Sequence, residues 1–224
     1  MSLQDFPTGG GGQAPARNKP PRRALLVFVR APVRGRVKTR LAREMGDDAA
    51  LRIYRRLGAH TVTQAMRLAR EDGVEVRVHH APADAGDAVR AWLGPGPVYL
   101  PQAEGDLGER MHAAFASALI DGHERVVIVG SDLPDLDAEL IRRAFSLLDE
   151  HRAVLGPAAD GGYYLLGLRE PAPGVFERIA WSTPTVLATT LERFRALGIE
   201  PALLEVLRDV DEAADVPEGW ADEA

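Results

Sequence analysis

Short apolar runs alternate with amphipathic stretches along most of this chain. Ala24–Val29 is apolar and rich in branched residues, as a strand buried on both faces requires. Asp47 or Asp48 can cap a helix running to about Arg70, with Ile53, Leu57, Val62, Ala65 and Leu68 near one face. Val74–His80 alternates as a strand, Asp84–Leu93 has helical spacing, and Pro97–Leu100 suits a short strand. Leu107, Met111, Phe115 and Ala118 mark a helix over Leu107–Leu119, and Arg125–Val129 is a second apolar strand. Ala138–Leu148 follows as a helix, with Asp135 and Asp137 as candidate caps. Strands over Ala153–Gly156 and Tyr163–Leu168 flank a Gly-rich turn, before a helix over Pro184–Leu197 and a strand over Ala202–Val206.

This alternation predicts a three-layer α/β/α sandwich around a mostly parallel, mixed sheet. In such sheets ligands bind beyond the carboxyl ends of the strands. The informative segments are therefore those directly after strands: Arg30–Leu41, Gly130–Leu136 and Pro157–Gly162. Residues 1–23 are Gly- and Pro-rich without periodicity and are expected to form a disordered tail. A domain over residues 24–216 and a frayed acidic end at 217–224 complete the expected organisation.

Composition then narrows the chemistry. The chain has 224 residues, 46% hydrophobic and 27% charged, as in an ordinary globular enzyme. It has no cysteine, which removes disulfides, thiolate metal sites and a cysteine nucleophile. A net charge of −6 argues against nucleic acid as a partner. No apolar run approaches a membrane span, and no signal-peptide layout opens the chain, so a cytoplasmic protein without membrane contact is expected.

Against the acidic total stands one basic segment. Arg30, Arg34, Arg36, Lys38, Arg40 and Arg43 lie together with no acid among them. A loop of this kind after the first strand suits a diphosphate: arginine forks onto two phosphate oxygens and lysine adds a point charge. Pro32 stiffens its start, and Gly35 permits positive φ or close approach of a ligand. Neither a G-x-x-x-x-G-K-[ST] loop nor a G-x-G-x-x-G turn is present. The segment lacks an aromatic residue to stack a base, which disfavours RNA.

The acids at strand ends complement it. Asp132 comes after the strand Arg125–Val129 on the same rim, and magnesium is commonly held by one or two carboxylates plus substrate phosphates. Asp160-Gly161-Gly162 is a turn signal, with Asp160 a candidate to orient or deprotonate an acceptor. Asp106 suits a helix N-cap. Because helix N-termini attract anions, Asp106 and Arg110 also join the candidate phosphate contacts. The histidines show no metal spacing, His79 and His80 suit structural roles, and no Gly-x-Ser-x-Gly elbow occurs.

Taken in order, Arg30–Leu41, Gly105–Met111, Gly130–Pro134, Gly156–Gly167 and Trp181-Ser-Thr-Pro184 resemble the bacterial family, formerly of unknown function, named for arsenosugar-biosynthesis-type glycosyltransferases. That family belongs to the nucleotide-diphospho-sugar transferase superfamily with the GT-A fold, and the resemblance covers about residues 24–216. It implies nucleotide phosphates held by Pro32, Gly35, Lys38, Thr39 and Arg40, a divalent metal (Mg2+ or Mn2+) on Asp132, and Asp160 near the acceptor or metal. Two departures stand out: Gly130-Ser131-Asp132 replaces the common Asp-x-Asp, and Arg30 stands where relatives often have lysine. The chain is also similar, at the fold level, to phospholactate and molybdopterin guanylyltransferases.

The expected function is a metal-dependent transferase that passes a glycosyl group from a nucleoside-diphosphate sugar to a small-molecule acceptor. Lys38, Asp132 and Asp160 are its candidate catalytic residues, and Arg30 is a further phosphate contact. Two alternatives are a nucleotidyltransferase joining a nucleoside triphosphate to a phosphorylated small molecule, and a nucleotide-binding protein without catalysis.

Overall fold

The computed structural model describes residues 22–220. Of the expected N-terminal tail, residues 1–21 lie outside that range, as do 221–224 of the expected C-terminal one. Thirteen elements are arranged in chain order. They are β1 (Arg23–Arg30), α1 (Thr39–Met45), α2 (Asp47–Asp72), β2 (Glu75–Ala81), α3 (Gly86–Leu93), β3 (Val98–Pro101) and α4 (Leu107–Ile120). The second half comprises β4 (Arg125–Val129), α5 (Ala138–Glu150), β5 (Ala153–Pro157), β6 (Tyr163–Leu168), α6 (Val186–Ala196) and β7 (Ala202–Leu203). Short 3-10 turns interleave them.

The strands form one sheet in the order β3-β2-β1-β4-β6-β5-β7. β1 is central and parallel to both neighbours, with Leu25 opposite Val76 on one side and Val127 on the other. Its side chains alternate between two apolar layers, as the two-residue period of a strand dictates. Leu25, Val27 and Val29 meet α2, α3 and α5, whereas Ala24 and Leu26 meet α4 and α6. Two buried faces explain why β1 and β4 are apolar throughout rather than alternating. β6 runs antiparallel to β4 and β5 because β5 and β6 are joined by the tight turn over residues 158–162. The three-layer sandwich and its mixed sheet are as expected.

The connections place the site. From β1 the chain winds outward through β2 to β3, then returns to lay β4 on the opposite side of β1. The crevice beyond the carboxyl ends of β1 and β4 is therefore the point where the winding reverses, which is where open α/β sheets bind ligands.

Local details differ from the sequence reading. α2 has Gly46 as its N-cap, with no side-chain cap. Asp47 and Asp48 lie in the first turn instead, where the helix dipole favours acids. Its apolar face also divides: Val62, Ala65 and Leu68 join the sheet core, while Ile53 and Leu57 form a smaller core with Leu41 and Val210. Trp220 packs against that smaller core and carries the Arg56 guanidinium over its ring at 4.2 Å.

The turn between β5 and β6 depends on one glycine. Gly161 has φ +89, and a Cβ there would meet the Pro184 carbonyl oxygen at 2.1 Å. Its own carbonyl accepts from the Leu187 N–H at 2.9 Å, tying the turn to the start of α6. Gly161→Ala is expected to cost more than about 1 kcal/mol in urea unfolding. Gly130→Ala, where a Cβ meets nothing within 4 Å, is expected to stay within about 0.5 kcal/mol of the parent. Equal midpoints for the two variants would show that the Gly161 contact is not required.

Candidate active site

The segment after β1 is fixed at its start by the Tyr54 hydroxyl, which accepts from the Arg30 N–H at 2.8 Å and donates to the Arg30 carbonyl at 2.9 Å. Burial, with the Asp132 charge adding to it, pushes the Tyr54 hydroxyl up to about 12, so it stays a neutral clamp. A turn closes from Arg36 N–H to the Val33 carbonyl at 3.0 Å, with Gly35 at φ +73. Pro32 and Gly35 thus shape the backbone and line neither of the two clefts described below.

The expected basic loop ends early. Residues 39–45 form α1, because Leu41 is fully buried with Ile53, Leu57 and Val210, with Ala42 and Met45 beside them. Lys38 sits at the junction with left-handed backbone angles (φ 47, ψ 49), a conformation non-glycine residues adopt chiefly when their surroundings impose it. Ser182, at φ 63, is a second such residue, and both line the same cleft.

The basic segment is not uncompensated, as its composition suggests. Arg34 turns away to Asp47 at 3.3 Å and Asp48 at 2.6 Å, a solvent-screened surface cluster. Lys38 is the opposite case. Its side chain is only 4% exposed, and its ammonium donates to Asp132 Oδ2 at 2.8 Å and Asp211 Oδ1 at 3.1 Å. Burial disfavours the charged ammonium, but Asp132 and then Asp211 outweigh it and raise its pKa. Burial likewise opposes ionisation of Asp211, and Lys38 and Arg40 outweigh that and lower its pKa. Arg40 pairs with the second oxygen of Asp211.

Asp211 and its neighbour Asp209 escaped the sequence reading. They arrive through a segment expected to be a strand over Ala202–Val206, of which only Ala202–Leu203 is one. The chain then leaves the sheet edge, with Leu207 N–H donating to the Pro157 carbonyl at 3.1 Å and Val210 N–H to the Asp132 carbonyl at 3.0 Å. Val210 is fully buried, so the acids on either side of it are carried to the end of β4. The string Asp209-Val210-Asp211 beyond the last strand was the available signal. Asp209 is pushed up to about 6 by burial, then by Asp211, with Asp160 adding to it.

Two clefts meet over these residues. The first, about 490 Å³, is lined by Arg30, Arg36, Lys38, Thr39 and Arg40 together with Asp132 and Asp211. The second, about 240 Å³, contains Asp160 and Asp209. Asp132 and Ser182 line both. One Asp160 oxygen accepts from the Gly162 N–H at 2.8 Å, so this acid both holds its turn and faces the cleft.

Two other candidates are placed differently. Asp106 is the N-cap of α4, accepting from the Glu109 N–H at 2.9 Å while Glu109 reaches back to its own N–H at 2.8 Å. That capping box occupies the carboxylate, and Asp106 lines neither cleft. Arg110 faces a neighbouring cleft of about 520 Å³, which Arg30 and Arg36 also border. Asp137 caps α5 through the Leu140 N–H at 2.8 Å. His79 and His80 are buried, and burial, then Arg77, pushes His79 down to about 4, so it is a neutral packing residue against Phe28. Leu107, which shares its helical spacing with the buried Met111, Phe115 and Ala118, is itself 43% exposed and borders the second cleft.

The donor set suits a divalent cation. No cluster of three or more metal-ligating side chains forms among the described residues. Yet the carboxylates of Asp132 and Asp211, from remote parts of the chain, already converge on one cationic group, the Lys38 ammonium. Two carboxylates with phosphate oxygens are what magnesium usually takes.

These charges predict opposite pH signatures for the two neighbouring acids. Asp211, held low, adds stability at neutral pH that disappears as pH falls below about 4. Asp209, held up at about 6, favours folding at acid pH, and this contribution is lost as pH rises through that value. In the presence of a chelator, Asp209→Asn is therefore expected to raise the thermal midpoint at pH 8 and to give no gain at pH 4. An identical change at both pH values would show that Asp209 carries no charge crowding.

Comparisons place the chain. Residues 62–183 match a family described as "Uncharacterized protein conserved in bacteria (DUF2064)". No curated protein matches. A candidate nucleotide-diphospho-sugar transferase from Desulfovibrio desulfuricans G20 is 38% identical, with a TM-score of 0.77 over 85% of this chain and 82% of that one. The inositol-1-phosphate CTP transferase of T. maritima shares the fold at 16% identity and a TM-score of 0.53, over 91% of this chain and 95% of that one. The fold is shared too by glucosyl-3-phosphoglycerate synthase of Mycobacterium tuberculosis, solved with Mn2+, uridine diphosphate and phosphoglyceric acid. Its identity is 11% and its TM-score 0.50, over 84% of this chain and 69% of that one. Matched over more than half its length by the family profile, and built on the GT-A-like fold of the nucleotide-diphospho-sugar transferases, the chain belongs to the DUF2064 family of bacterial proteins.

Proposed function

We propose that this protein is a metal-dependent transferase that binds a nucleoside-diphosphate sugar and passes the glycosyl group to a small-molecule acceptor. The observation that carries the reading is the Lys38 ammonium buried between Asp132 and Asp211 where the two clefts meet. A cleft with four cations suits a diphosphate, and its shared wall with a second cleft gives an acceptor a place beside it. The 38% identity to a candidate nucleotide-diphospho-sugar transferase supports the same reading, and the narrower arsenosugar-type likeness is part of it.

Arg36, Lys38 and Arg40 would donate to the diphosphate, with Arg30 beside them and Thr39 at the start of α1. Asp132 and Asp211 would hold Mg2+ or Mn2+, which when bound supplies charge neutralisation for the leaving diphosphate. In the transfer, the bond from the anomeric carbon to the phosphate oxygen breaks and a bond to the acceptor oxygen forms. The proton of the acceptor hydroxyl passes to a carboxylate. Asp209, held near neutrality, suits that task, with Asp160 orienting the hydroxyl. Lys38 fits a role as a movable cation, since phosphate oxygens can replace the carboxylates it now pairs with.

A second reading, nucleotidyl transfer from a nucleoside triphosphate, draws on a different observation. The cations continue from the first cleft through Arg30 and Arg36 to Arg110, a longer row than a diphosphate needs. Localisation in the cytoplasm is part of the proposal; no helix among the described residues is long and apolar enough to cross a membrane.

A thermal-shift panel of nucleoside-diphosphate sugars and triphosphates, with and without magnesium, separates the readings. Stabilisation by a nucleotide-sugar that grows with magnesium is expected, and preference for a triphosphate would move the assignment to nucleotidyl transfer. Lys38→Ala should weaken nucleotide binding by roughly 10- to 100-fold, as loss of a charged hydrogen bond predicts. Asp132→Ala should erase the magnesium increment. No shift with any nucleotide under either condition would sink the proposal, and a shift indifferent to magnesium would leave a binding protein without catalysis.

A further inference from the structure

The second cleft differs from the first in the sign of its charge. Asp132, Asp160 and Asp209 face it, and no arginine, lysine or histidine lines it. Its remaining wall is largely apolar, built from Leu107, Leu133, Tyr163, Trp181 and Val186. The aromatic part is held firmly. The Trp181 ring lies so close to Gly108 that a Cβ there would meet it at 2.6 Å, and it meets Tyr163 edge-on with centroids 6.5 Å apart. Leu107 keeps 43% of its surface exposed at the rim.

The field in this cleft selects. Asp132 is paired with Lys38 on the far side of its carboxylate, but Asp160 and Asp209 have no cation in the cleft wall. A phosphate group placed beside them would be repelled, and more strongly than in bulk water because the walls are of low dielectric. Hydroxyls and amines, in contrast, donate to carboxylates, and the aromatic wall favours the apolar face of a ring or chain. A cationic group would also be attracted to the aromatic faces.

We propose that this cleft is the acceptor subsite, and that the acceptor is an uncharged or cationic molecule with a hydroxyl beside an apolar face. Polyols, glycosides and amino alcohols fit that description, and phosphorylated acceptors are turned away. The inference rests on the reading of the first cleft as a diphosphate site. In the transfer, the acceptor oxygen forms its bond to the anomeric carbon as the glycosyl–phosphate bond breaks. The hydroxyl proton goes to a cleft carboxylate, and the nucleoside diphosphate departs on the basic side.

Saturation-transfer NMR on the full chain, with magnesium and the nucleotide chosen by thermal shift, tests this with matched pairs. The probes are methyl glucoside against glucose 6-phosphate, glycerol against glycerol 3-phosphate, and ethanolamine against phosphoethanolamine. The non-phosphorylated members are expected to bind at least tenfold more tightly, with signals lost in Trp181→Ala. Leu107→Arg, at an exposed position on the rim, is expected to narrow that gap by admitting phosphate. Phosphorylated members that bind the parent protein equally or better overturn the inference, as does the absence of binding by every probe while nucleotide is bound. Nucleotide binding is read in the same samples, so its loss marks failure of the diphosphate site and not of the acceptor assignment.

Discussion

The site is organised around one buried ammonium. Lys38 reaches two acids remote from it in sequence, Asp132 at the end of β4, 94 residues on, and Asp211 beyond β7, 173 residues on. A cation as buried as this is tolerable only with such partners, because burial alone would strip its charge. The pairing therefore constrains three segments together: the turn after β1, the end of β4, and the C-terminal run that leaves the sheet. The left-handed backbone at Lys38 and the Tyr54 clamp at Arg30 are the local means by which the first segment meets that constraint.

The sheet topology explains why those segments can meet. Parallel β1 and β4 are neighbours, so the loops leaving their carboxyl ends share a rim. The antiparallel β6 then turns the chain so that the loop before it, with Asp160, reaches the same rim. β7 is short because the chain must leave the sheet edge to carry Val210 to the Asp132 carbonyl. A longer strand would have satisfied more of its own backbone but left Asp209 and Asp211 away from the crevice.

Much of this was legible in the sequence. Strands with two buried faces announce themselves as apolar runs, and β1, β4, β5 and β6 lie within about a residue of their expected bounds at each end. Lys38 and Asp132 were identifiable because each lies in a segment that leaves a strand. α1 was not, since its helical character comes from Leu41 packing onto α2 rather than from any local pattern. Asp211 was missed for a related reason. Its partner lies 173 residues away, and an acid in a polar C-terminal run has no local mark of burial. Asp106 is the reverse case: the N-cap role legible in its sequence is the one the capping box with Glu109 shows, while its candidacy as a phosphate contact came from the attraction of helix N-termini for anions.

The arrangement of charge across Asp132 suits the glycosyl transfer proposed for this site. Negative charge must be stabilised on a departing phosphate oxygen, and a proton must be taken from an acceptor only a few atoms away. These demands call for opposite fields in adjacent space. Here four cations lie on one side of Asp132, two of them paired with Asp211, and Asp160 and Asp209 lie on the other with no cation in the cleft wall. The separation has a thermodynamic cost, visible in Asp209, whose burial beside Asp211 and Asp160 holds it at about 6. Folded proteins concentrate such unfavourable crowding where chemistry uses it. The acidic half of the site is accordingly the part whose geometry is hardest to explain by stability alone.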